Sequence, residues 1–227
     1  MENTSANNKR IAKNTLLLYF RMLFMMAVSL YTSRVVLNAL GVEDFGIYNV
    51  VGGVVMMFTI ISASLSSSIS RFITYELGKG DTSKLRKIFS ASLTIQLLLS
   101  LIIVILIESF GVWFLNTKMT IPTNRLIAAN WTLQFSIITF VINLISVPYN
   151  ATIIAHESMS AFAYISILEA LSKLAIAFLI TISPIDKLVF YAILMCSVAI
   201  IIRLVYGYYC KKHFEECNYH FYWDMEI

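Results

Sequence analysis

Glu169 and Lys173 stand four residues apart in a run, 160–182, that is otherwise almost entirely apolar. On a helix that spacing brings two side chains onto one face, where a carboxylate and an ammonium can form an ion pair. Burying either charge alone is expensive, and pairing lessens the cost without removing it. Such a pair, with Ser166 on the same side, points to a bundle interior or a water-filled cleft. A helix-packing pair that touches no ligand is the competing reading.

Other polar groups recur in apolar surroundings. Arg21 shares a helical face with Asn14, and Arg34 shares one with Tyr31 and Asn38. Each arginine either snorkels to the nearest headgroups or lines an aqueous cavity. Ser62, Ser66 and Ser70 repeat at helical spacing ahead of Arg71. Small hydroxyl residues favour close helix packing, and Arg71 could also meet an anionic headgroup. Asn130 and Gln134, then Asn143, Ser146 and Asn150, suit either interhelical hydrogen bonds or a wet cavity. Glu108 lies near the end of its run, within reach of water.

Signs of catalysis are missing. Asp44, Asp81, Asp186 and Asp224 are scattered singly, whereas a metal-dependent diphosphate transferase needs clustered carboxylates. No Gly-rich phosphate loop precedes a Lys-Ser/Thr pair, and no nucleophile has an evident base, so no catalytic residue and no cofactor are assigned. His156-Glu157 lacks a second histidine at ligand spacing, and Cys196, Cys210 and Cys217 fit neither a disulfide framework nor a zinc site. No metal site is expected.

The elements that must position these groups are membrane helices. The chain is 59% hydrophobic and 13% charged, with a mean hydropathy of +0.77. A soluble domain runs nearer a quarter charged. A helix needs about 20 residues to cross a hydrocarbon core of about 30 Å. Six stretches qualify, at 14–38, 47–71, 89–115, 126–152, 160–182 and 188–209. The expected organisation is a basic N-tail over 1–13, a membrane lobe over 14–210 and a tail or truncated linker over 211–227. The basic start resembles a signal peptide only superficially, because the apolar run is long and holds Arg21 and Arg34. Pro148, late in the fourth run, should kink it.

Flanking charge sets the orientation. Lys9, Arg10, Lys13, Arg71, Lys79, Lys84, Arg86, Lys87, Lys211 and Lys212 fall on one side of six alternating spans. Lys118, Arg125 and Lys187 fall on the other. The bias puts both termini in the cytoplasm, as an even number of spans requires. The net charge of +4 is membrane-flanking charge with no aromatic interleaving, so no nucleic-acid partner is expected.

Three segments carry a resemblance in combination: Arg34-Val-Val-Leu-Asn-Ala-Leu-Gly-Val-Glu-Asp-Phe-Gly-Ile-Tyr48, Ser70-Arg-Phe-Ile-Thr-Tyr-Glu-Leu-Gly-Lys-Gly-Asp81, and Val147-Pro-Tyr-Asn-Ala-Thr-Ile-Ile-Ala-His-Glu157 leading to Tyr164-Ile-Ser-Ile-Leu-Glu-Ala170. Over most of residues 10–223 the chain resembles the N-terminal half of polysaccharide (O-antigen, Wzx-type) flippases, in the lipopolysaccharide-biosynthesis branch of the multidrug/oligosaccharidyl-lipid/polysaccharide exporter superfamily. The resemblance implies an all-α polytopic fold, a six-transmembrane-helix bundle forming one lobe of a two-lobe transporter. It implies a polyprenyl-diphosphate-linked oligosaccharide, moved between leaflets of the bacterial inner membrane by alternating access. Carried onto this chain, it makes Arg21, Arg34, Arg71 and Lys173 candidate diphosphate or cavity contacts. Glu169, Asn38 and Asn143 become coupling or cavity candidates.

Such flippases have about twelve or more spans, and this sequence shows six. It ends near where a cytoplasmic linker would lead into the second lobe, which suggests a truncated or split reading frame. The leading expectation is therefore a transporter half working with a separately encoded lobe. A homodimeric six-span exporter of another substrate is physically possible. A non-transporting scaffold or remnant is the third reading.

Overall fold

The computed structural model describes the backbone of residues 2–183 and 185–217, and their side chains from residue 11 onward, 60–62 apart. Pro184, Asp224, the remainder of the tail beyond Cys217, and the side chains of Lys9, Arg10 and Ser62 lie outside the described residues. The protein is an all-α polytopic membrane protein. Helices are the form that satisfies every backbone polar group within its own segment, as lipid requires.

Helix α1 (Glu2–Met56) breaks at Gly41, whose φ of 83° and ψ of 167° are open to a residue without a Cβ. The break divides α1 into arms 2–40 and 42–56. After a turn at Met57–Phe58 come α2 (Thr59–Lys79) and α3 (Thr82–Leu106). A π-helical turn (Ile107–Gly111) joins α3 to the short α4 (Val112–Thr117). Then follow α5 (Leu126–Ala155), α6 (Met159–Leu179) with a 3₁₀ turn (Ile180–Ile182), α7 (Lys187–His213), and a 3₁₀ turn (Glu215–Cys217).

Five segments among the described residues have the length and hydropathy to cross a membrane: Ile11–Met56, Thr82–Thr117, Leu126–Ala155, Met159–Ile182 and Lys187–His213. The second expected run, 47–71, is instead shared between α1 and α2. Helix α2, which carries Arg71, Glu76 and Lys79, is not among the five. The first segment has 46 residues, or about 70 Å of helix, far more than one crossing needs. Contacts show how that length is used. Ala39 and Asp44 meet residues of the 117–126 and 182–187 connections, whereas Ile69 and Ile73 pack on Leu85, Ala151 and Ala155 at the opposite end. The chain runs along the first arm, turns back at Gly41, and returns through the second arm and α2.

Helix α5 is central and packs against α7, α2, α3 and α1. Its row Leu133, Ile137, Phe140 and Leu144 shares a core cluster with Ile47, Val51 and Val55 of the second arm, Ile103 of α3 and Ile107 of the π-helical turn. At Gly111 of that turn a Cβ would crowd Ile107 Cγ2 at 3.0 Å and lie at ordinary contact distance, 3.6 Å, from Val54 Cγ1 of the second arm. Helix α5 runs unbroken through Pro148, and the Thr152 hydroxyl donates to the Pro148 carbonyl at 2.9 Å. At the α2–α3 turn, Gly80 (φ 74°) donates its N–H to the carbonyls of Glu76 and Leu77, and Asp81 caps α3 by accepting from the Lys84 N–H at 3.0 Å.

The exposed apolar residues of the first arm, among them Leu16, Phe20, Leu23, Met26 and Leu30, would be unfavourable in water over so long a face. Lipid removes that penalty.

Candidate functional site

Two adjoining voids of about 230 Å³ each lie inside the helix bundle. They share Tyr48, Lys173 and Met195. The first is walled by Thr59 of α2, Asn143 of α5, Glu169 of α6 and Ile202 of α7. The second lies between the two arms of α1, with Ser29, Thr32 and Ser33 on one side and Asn49 on the other. Tyr48 and Tyr191 close the wall between them, ring centroids 4.6 Å apart. Both walls mix apolar bodies with a few directed polar groups, the composition expected of a ligand pocket.

The Glu169–Lys173 pair forms as its spacing predicts: Lys173 Nζ donates to Glu169 Oε1 at 2.6 Å. The side chains keep 30% and 39% of their surface exposed, respectively, so the pair borders open space and is not sealed in a helix interface. Ser166 is buried and donates to the Phe162 carbonyl, while Tyr206 of α7 lies close to Ser166, Glu169 and Arg21. Arg21 thus reaches the same region. Its guanidinium lies 4.2 Å above the Phe162 ring, and its Nε is buried without a partner.

The remaining expected residues are dispersed. Asn143 lines the first void. Arg34 and Asn38 are exposed on the first arm and line neither void. Arg71 is exposed at the far end of α2, beside a shallow groove with Ser68, Phe72 and Tyr75. The amides left open by the sequence now separate. Asn130 exchanges hydrogen bonds with Asn116 at 3.1 Å, and Gln134 donates to Glu108 at 3.1 Å, so both tie α5 to the α3–α4 segment.

Three features were not legible from spacing. At the end of the bundle that holds the Gly41 break, Arg125 Nε donates to Asp44 Oδ1 at 2.7 Å, and its Nη groups reach Asp44 and Asp186. Burial works against the Arg125 charge, but the two carboxylates outweigh it and raise its pKa. Asp186 also caps α7, accepting from the Leu188 N–H at 3.0 Å. One guanidinium thereby joins the α1 break, α5 and α7. Inside α7, Arg203 stacks on Tyr149 at 3.8 Å. It is a cation within an apolar run, and that signal was available.

At the opposite end of the bundle, His156 Nε2 meets Glu216 Oε1, and Phe214 stacks on the His156 ring at 4.1 Å. Residues 211–213 continue α7, and 214–217 fold back onto α3 and onto His156 just past α5. Burial acts to raise the Glu216 carboxyl, yet the His156 hydrogen bond and a backbone N–H outweigh it and hold the carboxyl below its usual range. Replacing Glu216 by glutamine is expected to release this latch and speed alkylation of buried Cys217 by about tenfold, read by mass spectrometry at pH 7.5. A depressed carboxyl stabilises the fold above its unfolded pKa, and that contribution is lost as pH falls through the folded value. The stability difference between wild type and Glu216→Gln should therefore persist at neutral pH and vanish on strong acidification. An equal alkylation rate in both proteins would show that the latch does not hold the segment.

Comparison with known proteins agrees with this architecture. The chain is 23% identical over 130 residues to a Bacillus subtilis (strain 168) protein named "Uncharacterized membrane protein EpsK", a match covering 56% of this chain and 26% of that relative. The match spans about a quarter of the relative's length. No solved structure matches. The family described as "Polysaccharide biosynthesis protein" matches residues 11–221, nearly the whole sequence, and the chain belongs to that family.

Proposed function

We propose that this chain is the N-terminal lobe of a flippase. It carries a polyprenyl-diphosphate-linked oligosaccharide from the cytoplasmic to the periplasmic leaflet of the bacterial inner membrane by alternating access, and it does no covalent chemistry. On this reading the chain crosses the membrane six times, flanking charge favours cytoplasmic termini, and Arg125 and its partners lie at the periplasmic end. The observation that carries the reading is the pair of adjoining voids bordered by Glu169, Lys173 and Asn143. Family membership supports a role in polysaccharide export. A sugar headgroup is recognised by directed hydrogen-bonding groups, and a diphosphate by cations. Arg21 and Lys173 supply the charge in this lobe. A second six-helix lobe, on a separate chain or as a second copy, completes the cavity, and Arg34 and Asn38 on the exposed first arm face it. Arg71 meets the diphosphate at the cytoplasmic surface before entry.

The test is translocation in cells lacking their own flippase, read by the accessibility of lipid-linked oligosaccharide to an externally added glycosidase. The chain is expressed alone and with a second six-helix lobe supplied from a full-length family member. Activity with the second half identifies a lobe, and activity alone identifies a homodimer. If neither combination exposes the oligosaccharide while the protein accumulates in the membrane, the flippase reading is lost.

A further inference from the structure

Glu108 sits in the π-helical turn between α3 and α4, and turns of this kind recur at functional sites. The uncharged stretch 88–107 separates it from Lys87 by about 30 Å of helix. That is the thickness of a hydrocarbon core, so Glu108 stands at headgroup level when Lys87 does. Its side chain is half-buried, and Oε2 accepts from Gln134 Nε2 of α5 at 3.1 Å. The amide fixes the carboxylate without neutralising it, and among the described residues no cation is paired with it. A lone charge at the membrane edge calls for a partner.

The surroundings are aromatic and exposed. Phe110 and Trp113 pair on one side with ring centroids 5.6 Å apart, and Trp131 stacks on Phe135 at 6.2 Å on the other. Such rings settle at the headgroup boundary, where an apolar body meets a polar edge. Trp131 precedes Gln134 by three residues on α5, which sets it about 4.5 Å nearer the Arg125 end. Its indole N–H can only donate. Lys118 folds towards the same segment, its Nζ 5.9 Å from the Trp113 ring. An acceptor thus lies at the hydrocarbon edge, with donors just beyond it.

We propose that Glu108 and Trp131, with Gln134 as a positioning residue, form a headgroup site for an ethanolamine phospholipid in the leaflet at the Arg125 end of the bundle. The occupant follows from charge complementarity. The ethanolamine ammonium donates to Glu108, and the phosphate, one short link further out, accepts from the Trp131 N–H and meets Lys118. An anionic headgroup brings no cation to Glu108, and a trimethylammonium headgroup has no N–H to donate. The acyl chains run along the exposed face that carries Ile105, Leu106 and Ile138. A lipid seated there fastens α5 to the α3–α4 segment, which the Asn116–Asn130 and Glu108–Gln134 bonds already join. The site does not depend on the flippase reading, since it concerns which lipid this lobe holds at its surface.

The experiment uses the full chain in detergent, mixed with equal amounts of phosphatidylethanolamine, phosphatidylcholine and phosphatidylglycerol of matched acyl chains. Bound lipids are counted by native mass spectrometry. Wild type is expected to enrich phosphatidylethanolamine over both others. Glu108→Gln should lower that enrichment about fivefold, the scale of one charge-assisted hydrogen bond at a half-exposed position. Trp131→Phe, which keeps a ring and loses the N–H, should lower it as well. Glu43→Gln removes another exposed carboxylate, beside the Gly41 break, and should leave the enrichment unchanged. If Glu108→Gln does not accumulate, Glu108→Asp and Trp131→Phe decide, because aspartate keeps the charge and draws it back from the rim. Equal enrichment in wild type and the Glu108 variants overturns the proposal, as does wild type that fails to enrich phosphatidylethanolamine. An equal loss in Glu43→Gln also overturns it, because the preference would then belong to acidic surface in general.

Discussion

Replacing Arg125 by alanine is expected to destabilise the protein by about 2 kcal/mol, a fall in unfolding midpoint of about 5 °C in detergent. The Arg125 side chain is 21% exposed, and the carboxylates it joins are 13% and 36% exposed. Removing one partner of a fully buried pair costs about 3–5 kcal/mol, and an exposed pair contributes about 0–1 kcal/mol. The intermediate burial sets the figure between these limits. Alanine leaves two carboxylates facing each other across the break at Gly41 and the start of α7. Lysine should recover less than half of the loss, since one ammonium cannot bond two carboxylates in the fork geometry seen here. Asp44→Asn combined with Arg125→Ala should cost less than the two single effects added, because each single change already breaks the same contact. A midpoint unaltered in Arg125→Ala would show that the outer ends of α1, α5 and α7 are held by packing alone.

What could be read from the sequence follows the range of each interaction. Apolar runs and flanking charge report on lipid residue by residue, so the helical membrane fold was visible throughout. The Glu169–Lys173 pair is local, and helix geometry alone brings the groups together. The expected gap between the first two runs, 39–46, contains the Gly41 break, whereas the turn at Met57–Phe58 falls inside the apolar run 47–71, where hydropathy gives no sign of it. The outer clasp links positions 44, 125 and 186 from three connections, and no periodicity relates them. His156 and Glu216 are likewise 60 residues apart. Arg34 and Arg71, nominated by the resemblance, are exposed on the first arm and on α2, and sequence pattern alone does not say what an exposed face of one lobe meets. Arg203 needed only the rule already applied to Arg21, a cation within an apolar run.

Charge reversal in Lys173→Glu should abolish transport in the complete assembly, reducing translocation more than about tenfold while the protein still reaches the membrane. Two carboxylates would then stand one turn apart beside the void, repelling each other and any diphosphate. Folding damage is separable from a lost ligand contact. The exchange Glu169→Lys with Lys173→Glu restores opposite charges at the same spacing, though the reversed order suits the helix dipole less well. A pair that serves packing should regain both abundance and transport in the exchanged protein. A pair whose lysine meets the substrate should regain abundance alone, because the cation has moved one turn, about 5.4 Å, along the wall. The partial exposure of both side chains on the void favours the second outcome. Lys173→Gln keeps the length and removes only the charge. It should leave Glu169 uncompensated and give an intermediate loss. Full translocation by Lys173→Glu would retire the cationic cavity as the basis of headgroup recognition in this lobe, and selectivity would then have to come from Asn143, the serines of the first arm and the second lobe.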